Sequence, residues 1–175
     1  MNEFTITIPS EYQRLYKVKS PVVKVPHAIL RQKATMVTKF SPKLHNIIRD
    51  MKAVMQSNRG VGIAAPQLGI GKRICIIYTP WDSTQVLINP EITAWSEEKI
   101  ESEEGCLSIP GLHGIVSRHS CIDIKFQDAQ GKECMKTLTG LAAVVTQHEV
   151  DHLNGILFTD RAKAETLFWK TPRKT

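Results

Sequence analysis

The stretch Gln147-His148-Glu149-Val150-Asp151-His152 constrains this chain more than any other. Just ahead of it, Leu141, Val144 and Val145 fall with His148 and His152 at i, i+3, i+4, i+7 and i+11, one face of an α-helix. Gly140 opens that helix and Asn154-Gly155 supplies its stop. Residues four apart on a helix have Cβ atoms roughly 5–6 Å apart, so both imidazoles can reach one metal ion. Glu149 points close to the same face, and a carboxylate beside a metal-bound water serves as a general base. Two packed histidines on an ordinary helix would explain the same residues, so the decision rests on the rest of the chain.

Upstream the pattern is mostly sheet. Residues 73–78 and 84–90 read as strands, the second ended by Asn89-Pro90. Residues 92–100 continue the sheet loosely. Ile122, Ile124 and Phe126 alternate with polar residues, and after a turn at 128–131 residues 133–138 return as a hairpin arm. One helix precedes these strands. Ser41 and Pro42 suit its N-cap and first position, and Leu44, Ile47, Ile48, Met51, Val54 and Met55 form its apolar face up to about residue 57. Residues 1–20 read as an extended arm, 21–26 as extended between two prolines, and the segment from Arg161 as a short helix with a basic end. Grouped strands with a late key helix, and no β-α-β alternation, predict an α+β fold. Antiparallel or mixed β-sheets would pack around a central helix carrying the metal motif. Its 175 residues suit one domain, with 1–20 as an N-terminal extension and 161–175 as a basic tail.

Composition narrows the class. Hydrophobic residues at 42% and charged residues at 23% describe an ordinary globular protein. No apolar run approaches the ~20 residues that span a bilayer. The first 20 residues lack a secretory apolar core, and Glu3 and Glu11 weigh against an organellar presequence. A bacterial cytoplasm is therefore expected ahead of an organelle. Cys75, Cys106, Cys121 and Cys134 are scattered, which suits free thiols or a metal ligand better than disulfides. The net charge of +6 favours an acidic partner without establishing one. Aromatics at 6%, with no basic–aromatic interleaving, argue against a single-strand nucleic-acid platform.

Two histidines leave a catalytic site incomplete, because zinc-type sites keep three protein ligands and an open position. Downstream, Asp160 and Glu165 are available but no pattern supports them. Upstream, the segment 103–110 holds Cys106 in a turn-like setting between strands, where a thiolate would complete a Cys/His/His set. Taken alone, Cys106 reads more simply as an inert thiol. The small, uncharged segment 60–69 fails both phosphate-loop patterns. It reads as a tight turn, or as backbone that must approach something closely, with Gln67 its one strong hydrogen-bonding side chain.

Three segments taken together resemble the peptide deformylase family: Gly60-Val61-Gly62-Ile63-Ala64-Ala65-Pro66-Gln67, Glu104-Gly105-Cys106-Leu107-Ser108 and Gln147-His148-Glu149-Val150-Asp151-His152, in that order. The resemblance covers roughly residues 22–160. It implies Cys106, His148 and His152 as ligands of one divalent metal ion, with water as the fourth. Fe2+ is the ion expected in the cell, and Zn2+, Ni2+ and Co2+ also suit the donors. It implies Glu149 as general acid/base, and Gln67 with the Leu107 N–H as oxyanion donors. The implied reaction removes the formyl group from the formylmethionine of newly made polypeptides, the implied partners, and releases formate. Val61, Gly62, Leu107, Val144 and Val145 would bind the substrate, its main chain added as a strand along the glycine-rich segment. Gln147 and Asp151 read as supports. Arg118 would pair with Glu104 and brace the Cys106 loop, a pairing of consequence only if buried. The family often carries an arginine where this chain has His113, so peptide preference is expected to differ.

A basic tail is compatible with weak ribosome association, though a solvated terminus explains it as simply. No membrane contact and no sequence-specific nucleic-acid binding are expected. A metalloendopeptidase would need a third ligand downstream. A non-catalytic RNA-binding protein would have no use for Glu149 between two histidines.

Overall fold

The structure is a computed structural model that describes residues 6–79 and 83–170. Strands β1 (Gly62–Ala64), β2 (Ile74–Thr79), β3 (Ser83–Trp95), β6 (Cys121–Gln127) and β7 (Glu133–Thr139) form one sheet in the order β1-β2-β3-β6-β7. Strands β4 (Lys99–Cys106), β5 (Ile109–His119) and β8 (Phe168–Trp169) form a second, in the order β4-β5-β8. Every strand pair is antiparallel. The helices are α1 (Gln13–Lys17), α2 (Pro42–Ser57) and α3 (Gly140–Leu153).

β2 explains the layering. It is apolar at successive positions and buried on both sides. Ile74 and Ile76 pack with Leu44, Ile48, Met51 and Met55 of α2, whereas Cys75 and Ile77 pack with Ala142, Ala143, Val145 and Leu153 of α3. Each of the isoleucine, leucine, valine and methionine side chains among them contributes about 1.5–3 kcal/mol when fully buried. Across α3 lies the second sheet, where Ile109, Leu112 and Val116 cluster with Leu30, Leu157 and Phe158. α3 thus runs between two sheets, in contact with β1, β2 and β7 on one and β5 on the other. The expected α+β fold around a central helix is the one found.

Several local expectations are corrected. β3 does not end at Asn89-Pro90. It passes through a register shift between Ile88 and Glu91, with Asn89 at φ 53°. The Asn89 amide accepts from Val37 N–H at 2.8 Å and donates to Val37 C=O at 2.9 Å and to Gln127 Oε1 at 2.7 Å. A bulge of this kind also tolerates proline. Residues 92–100 are not one strand: the chain leaves the first sheet after Trp95, and Lys99 begins the second. No strand was expected over Ile109–His119, because its inward set (Leu112, Gly114, Val116, Arg118) includes a glycine and an arginine. Nor is the N-terminal arm extended. A 3-10 turn (Ser10–Tyr12) leads into α1, held by tertiary contacts described below. Val23 and Val25 sit outside any strand, yet their N–H groups donate to the carbonyls of Gln67 (2.7 Å) and Ser108 (3.0 Å), tying two site loops together. The expected tail helix is a 3-10 turn (Ala164–Thr166) followed by β8. Of the basic end at 170–175, Lys170 donates to Glu103 at 2.6 Å, while residues 171–175, like the first five residues of the arm, lie outside the described residues.

Candidate metal centre and peptide cleft

Cys106 is the last residue of β4, where the pairing with β5 shifts register between Gly105 and Cys106. That placement aims its thiol at α3. The ligand atoms of Cys106, His148 and His152 all lie within 4.8 Å of one another. Cys106 Sγ is 3.2 Å from His152 Nε2, and the two imidazoles stand nearly perpendicular, 4.9 Å apart. His148 Nδ1 is 2.8 Å from Glu104 Oε2, which leaves its Nε2 for an ion.

Glu104 is itself fixed. Arg118 donates to it through Nε (2.8 Å) and a terminal nitrogen (3.0 Å), and gives its other terminal nitrogen to Asp151 Oδ2 at 2.6 Å. Arg161 completes the chain with two 2.6 Å bonds to Asp151. Arg118, Glu104 and Asp151 are 3%, 6% and 5% exposed, so the pairing is buried and the bracing expected of Arg118 is realised. In such networks removal of one partner strands a buried charge. Gln147 holds α3 to the end of β5, donating to His119 C=O at 2.9 Å and accepting from His119 N–H at 3.1 Å.

The electrostatics follow from this packing. Burial opposes ionisation of Cys106, but the charge of His152 and hydrogen bonds from His148 and His152 prevail and hold the thiol at about 5. Thiolate is the metal-binding form. Burial also opposes ionisation of Glu104, and bonds from His148 and Arg118 outweigh it, giving about 2. For Glu149 burial wins over the attraction of His148 and His152 and lifts the carboxyl to about 7. Glu149 is 4% exposed, and its Oε2 is buried without a hydrogen-bond partner. A Cβ on Gly62 would overlap the Glu149 carboxylate and come within 2.8 Å of Val145 Cγ1. Glycine there lets the β1 backbone lie directly against the carboxylate.

Gln67 is oriented by both ends of its amide. Oε1 accepts from Ala64 N–H at 2.8 Å, so Nε2 faces Cys106 Sγ and Ser108 Oγ, each at 3.4 Å. A cleft of about 790 Å³ opens over these groups, and Val61, Gly62, Leu107, Val144 and Val145 all line it. Leu141, placed on the inner face by the helical spacing, is 52% exposed at the cleft instead. His113 also borders the cleft, 3.1 Å from Glu103 and stacked on Phe168. Neither alternative third ligand is near: Asp160 pairs with Arg31 and accepts from Leu157 N–H, and Glu165 is exposed in the tail.

Sequence reasoning missed Ser108, Arg161 and the cleft-lining Leu15 and Val18. Ser108 stood inside a quoted motif. The others gave no signal beyond their residue type. As a donor set, one thiolate-prone sulfur and two converging imidazoles, one with its outer nitrogen already bonded, fit a divalent ion with a coordination position to spare.

Comparison with known proteins agrees. A family model described as polypeptide deformylase matches residues 19–167. A peptide deformylase of Desulforudis audaxviator is 41% identical over 141 residues, covering 81% of this chain and 92% of the relative. One of Heliobacterium modesticaldum is 44% identical, covering 81% and 93%. Among solved structures, the class I type b peptide deformylase of Acinetobacter baumannii bound to Met-Ala-Ser superposes with a TM-score of 0.77 at 40% identity, covering 82% of this chain and 98% of that one. The peptide deformylase of Thermotoga maritima gives 0.79 at 39%, covering 81% and 96%. The chain belongs to the peptide deformylase family, metal-dependent hydrolases that remove the formyl group from the N-terminus of newly made polypeptides.

Proposed function

We propose that Cys106, His148 and His152 hold one Fe2+ ion in the cell, and that Glu149, Gln67 and Leu107 carry the deformylation around it. Zn2+, Ni2+ and Co2+ also suit a thiolate with two imidazoles. When bound, the ion supplies an acidified water and polarises the formyl oxygen. Glu149 takes the proton of the attacking water at its unpartnered Oε2. Gln67 Nε2 and the Leu107 N–H donate to the oxyanion that develops at the formyl carbon; one such donor is worth roughly 3–4 kcal/mol. Glu149 then returns its proton to the departing amine of methionine. Arg118, through Glu104, keeps His148 Nδ1 engaged and its ring fixed. The peptide main chain adds as a strand along Val61 and Gly62, and the methionine side chain enters between Leu107, Val144 and Val145.

The observation that carries this reading is the buried, unpartnered Glu149 oxygen beside a converging Cys/His/His set. A carboxylate kept there for structure alone would have a partner. Iron-loaded protein prepared without oxygen is expected to release formate from formyl-Met-Ala-Ser and to leave unblocked casein intact. Casein cleavage without formate release would overturn the assignment.

The catalytic domain proposed is single, spanning 1–175, with residues 1–20 as an extension and 161–175 as a basic tail. Its proposed location is the bacterial cytoplasm; no described helix is long and apolar enough to cross a membrane. Weak ribosome association through the basic end is also proposed. A chain cut before Arg161 that sediments with ribosomes as fully as the intact chain would remove that part.

A further inference from the structure

The chemistry above leaves the N-terminal segment without a role. The family match begins at residue 19, so residues 6–18 precede it, yet they are fastened to the second sheet. Ile6 joins the cluster of Leu30, Ile109 and Leu112. Tyr12, 5% exposed, packs against Trp169 with the ring centroids 4.7 Å apart and the planes tilted by 39°. It also lies against Gly111, where φ is +91° and a Cβ would fall 2.6 Å from the tyrosine ring. Both the backbone conformation and the close approach require glycine there. At the other end Lys24 Nζ donates to the carbonyls of Leu15 (2.6 Å) and Val18 (3.1 Å). An isolated helix of this length does not persist in water. α1 is therefore shaped by these two attachments.

Between them the segment faces the active site. Leu15 and Val18 line the same cleft as Gln67, Cys106 and Glu149. Val18 is 61% exposed, Val61 46% and Leu141 52%, and all three border that one cleft. Scattered apolar residues on a surface need no explanation, but apolar residues gathered around one opening do. The Tyr16 hydroxyl is buried without a hydrogen-bond partner; burial first, then the charge of Cys106, raise it to about 12.

We propose that Leu15 and Val18 form an added wall of the peptide cleft that contacts the side chains following formylmethionine, and that this wall makes the enzyme prefer apolar residues there. A peptide added as a strand projects alternate side chains to opposite sides. Leu15, Val18 and Glu149 line one cleft, and a peptide led from the methionine pocket towards the arm would present its following side chains to Leu15 and Val18. The inference rests on the deformylase reading.

The test compares kcat/KM for formate release from formyl-Met-Leu-Leu and formyl-Met-Gly-Gly, using iron-loaded full-length protein and its Leu15→Ser/Val18→Ser variant. The intact protein is expected to favour the leucine peptide by about tenfold, and the variant to lose most of that ratio through KM. Val18→Ser alone, at the more exposed position, should narrow the ratio by a smaller factor. Equal use of the two peptides by the intact protein would overturn the proposal while leaving deformylation in place. So would an equal loss on both peptides in the variant, which marks a purely structural arm, or an equal gain, which marks an obstructing one. No formate from either peptide would overturn the deformylase reading and the proposal with it.

Discussion

α2 and α3 are of similar length, 16 and 14 residues, and pack on opposite faces of the same strand. α2 buries Leu44, Ile48, Met51 and Met55 and turns Arg49 and Asp50 to solvent. α3 buries eleven residues, and five of them are polar: Thr146, Gln147, Glu149, Asp151 and His152. A buried polar group left unpaired costs about 1–3 kcal/mol, so α3 depends on partners that α2 does not need. Thr146 bonds the Ala142 carbonyl, Gln147 the β5 backbone, and Asp151 two arginines. Among its buried side-chain polar atoms, α3 leaves Glu149 Oε2 and His152 Nδ1 without a hydrogen-bond partner. Both belong to the proposed site. The difference teaches that helix periodicity alone explains α2, whereas α3 is held in place by its neighbours and keeps the Glu149 carboxylate oxygen free for chemistry.

Substitutions should separate the two helices sharply. Glu149→Gln is expected to lower the rate of formate release by about 10³–10⁴-fold while metal content and thermal stability hold. A fall in stability instead would make Glu149 a structural residue like its neighbours. Arg118→Ala leaves Glu104 and Asp151 buried without their shared partner. Urea unfolding should show a loss of about 3–5 kcal/mol, and metal affinity should fall by roughly 10–100-fold because His148 loses its brace. Met51→Ala on α2 should cost about 2–5 kcal/mol of stability through the cavity it leaves. The fraction of metal bound in its folded molecules should not change; a changed metal affinity would show that α2 is coupled to the site. Arg49→Ala, on the exposed side of α2, should shift stability by less than ~0.5 kcal/mol. A larger shift would mean that the outer face of α2 carries more than solvation.

Legibility in the sequence divides along the same line. The regular spacing of α2, the 121–139 hairpin and the spacing of His148 and His152 could all be read directly, because each is a local pattern. β4 and β5 escaped because β5 buries Gly114 and Arg118, which no strand pattern anticipates. α1 escaped because Tyr12 and Lys24 find their partners only in three dimensions. Within the site, the ligands and Glu149 were legible through residue type and the resemblance. Of the linkage from His148 through Glu104 and Arg118 to Asp151, only the Glu104–Arg118 pair is foreseen, and that through the resemblance. Arg161 enters from a tail read as basic, and nothing local in the sequence announces its pairing with the buried Asp151.

The most direct test is metal analysis of protein prepared without oxygen, comparing the natural chain with Cys106→Ala. One divalent ion per natural chain, and none retained by the variant after dialysis, is the predicted result. Undiminished metal in Cys106→Ala would contradict the site, since a third ligand would then have to lie outside the β4–α3 junction.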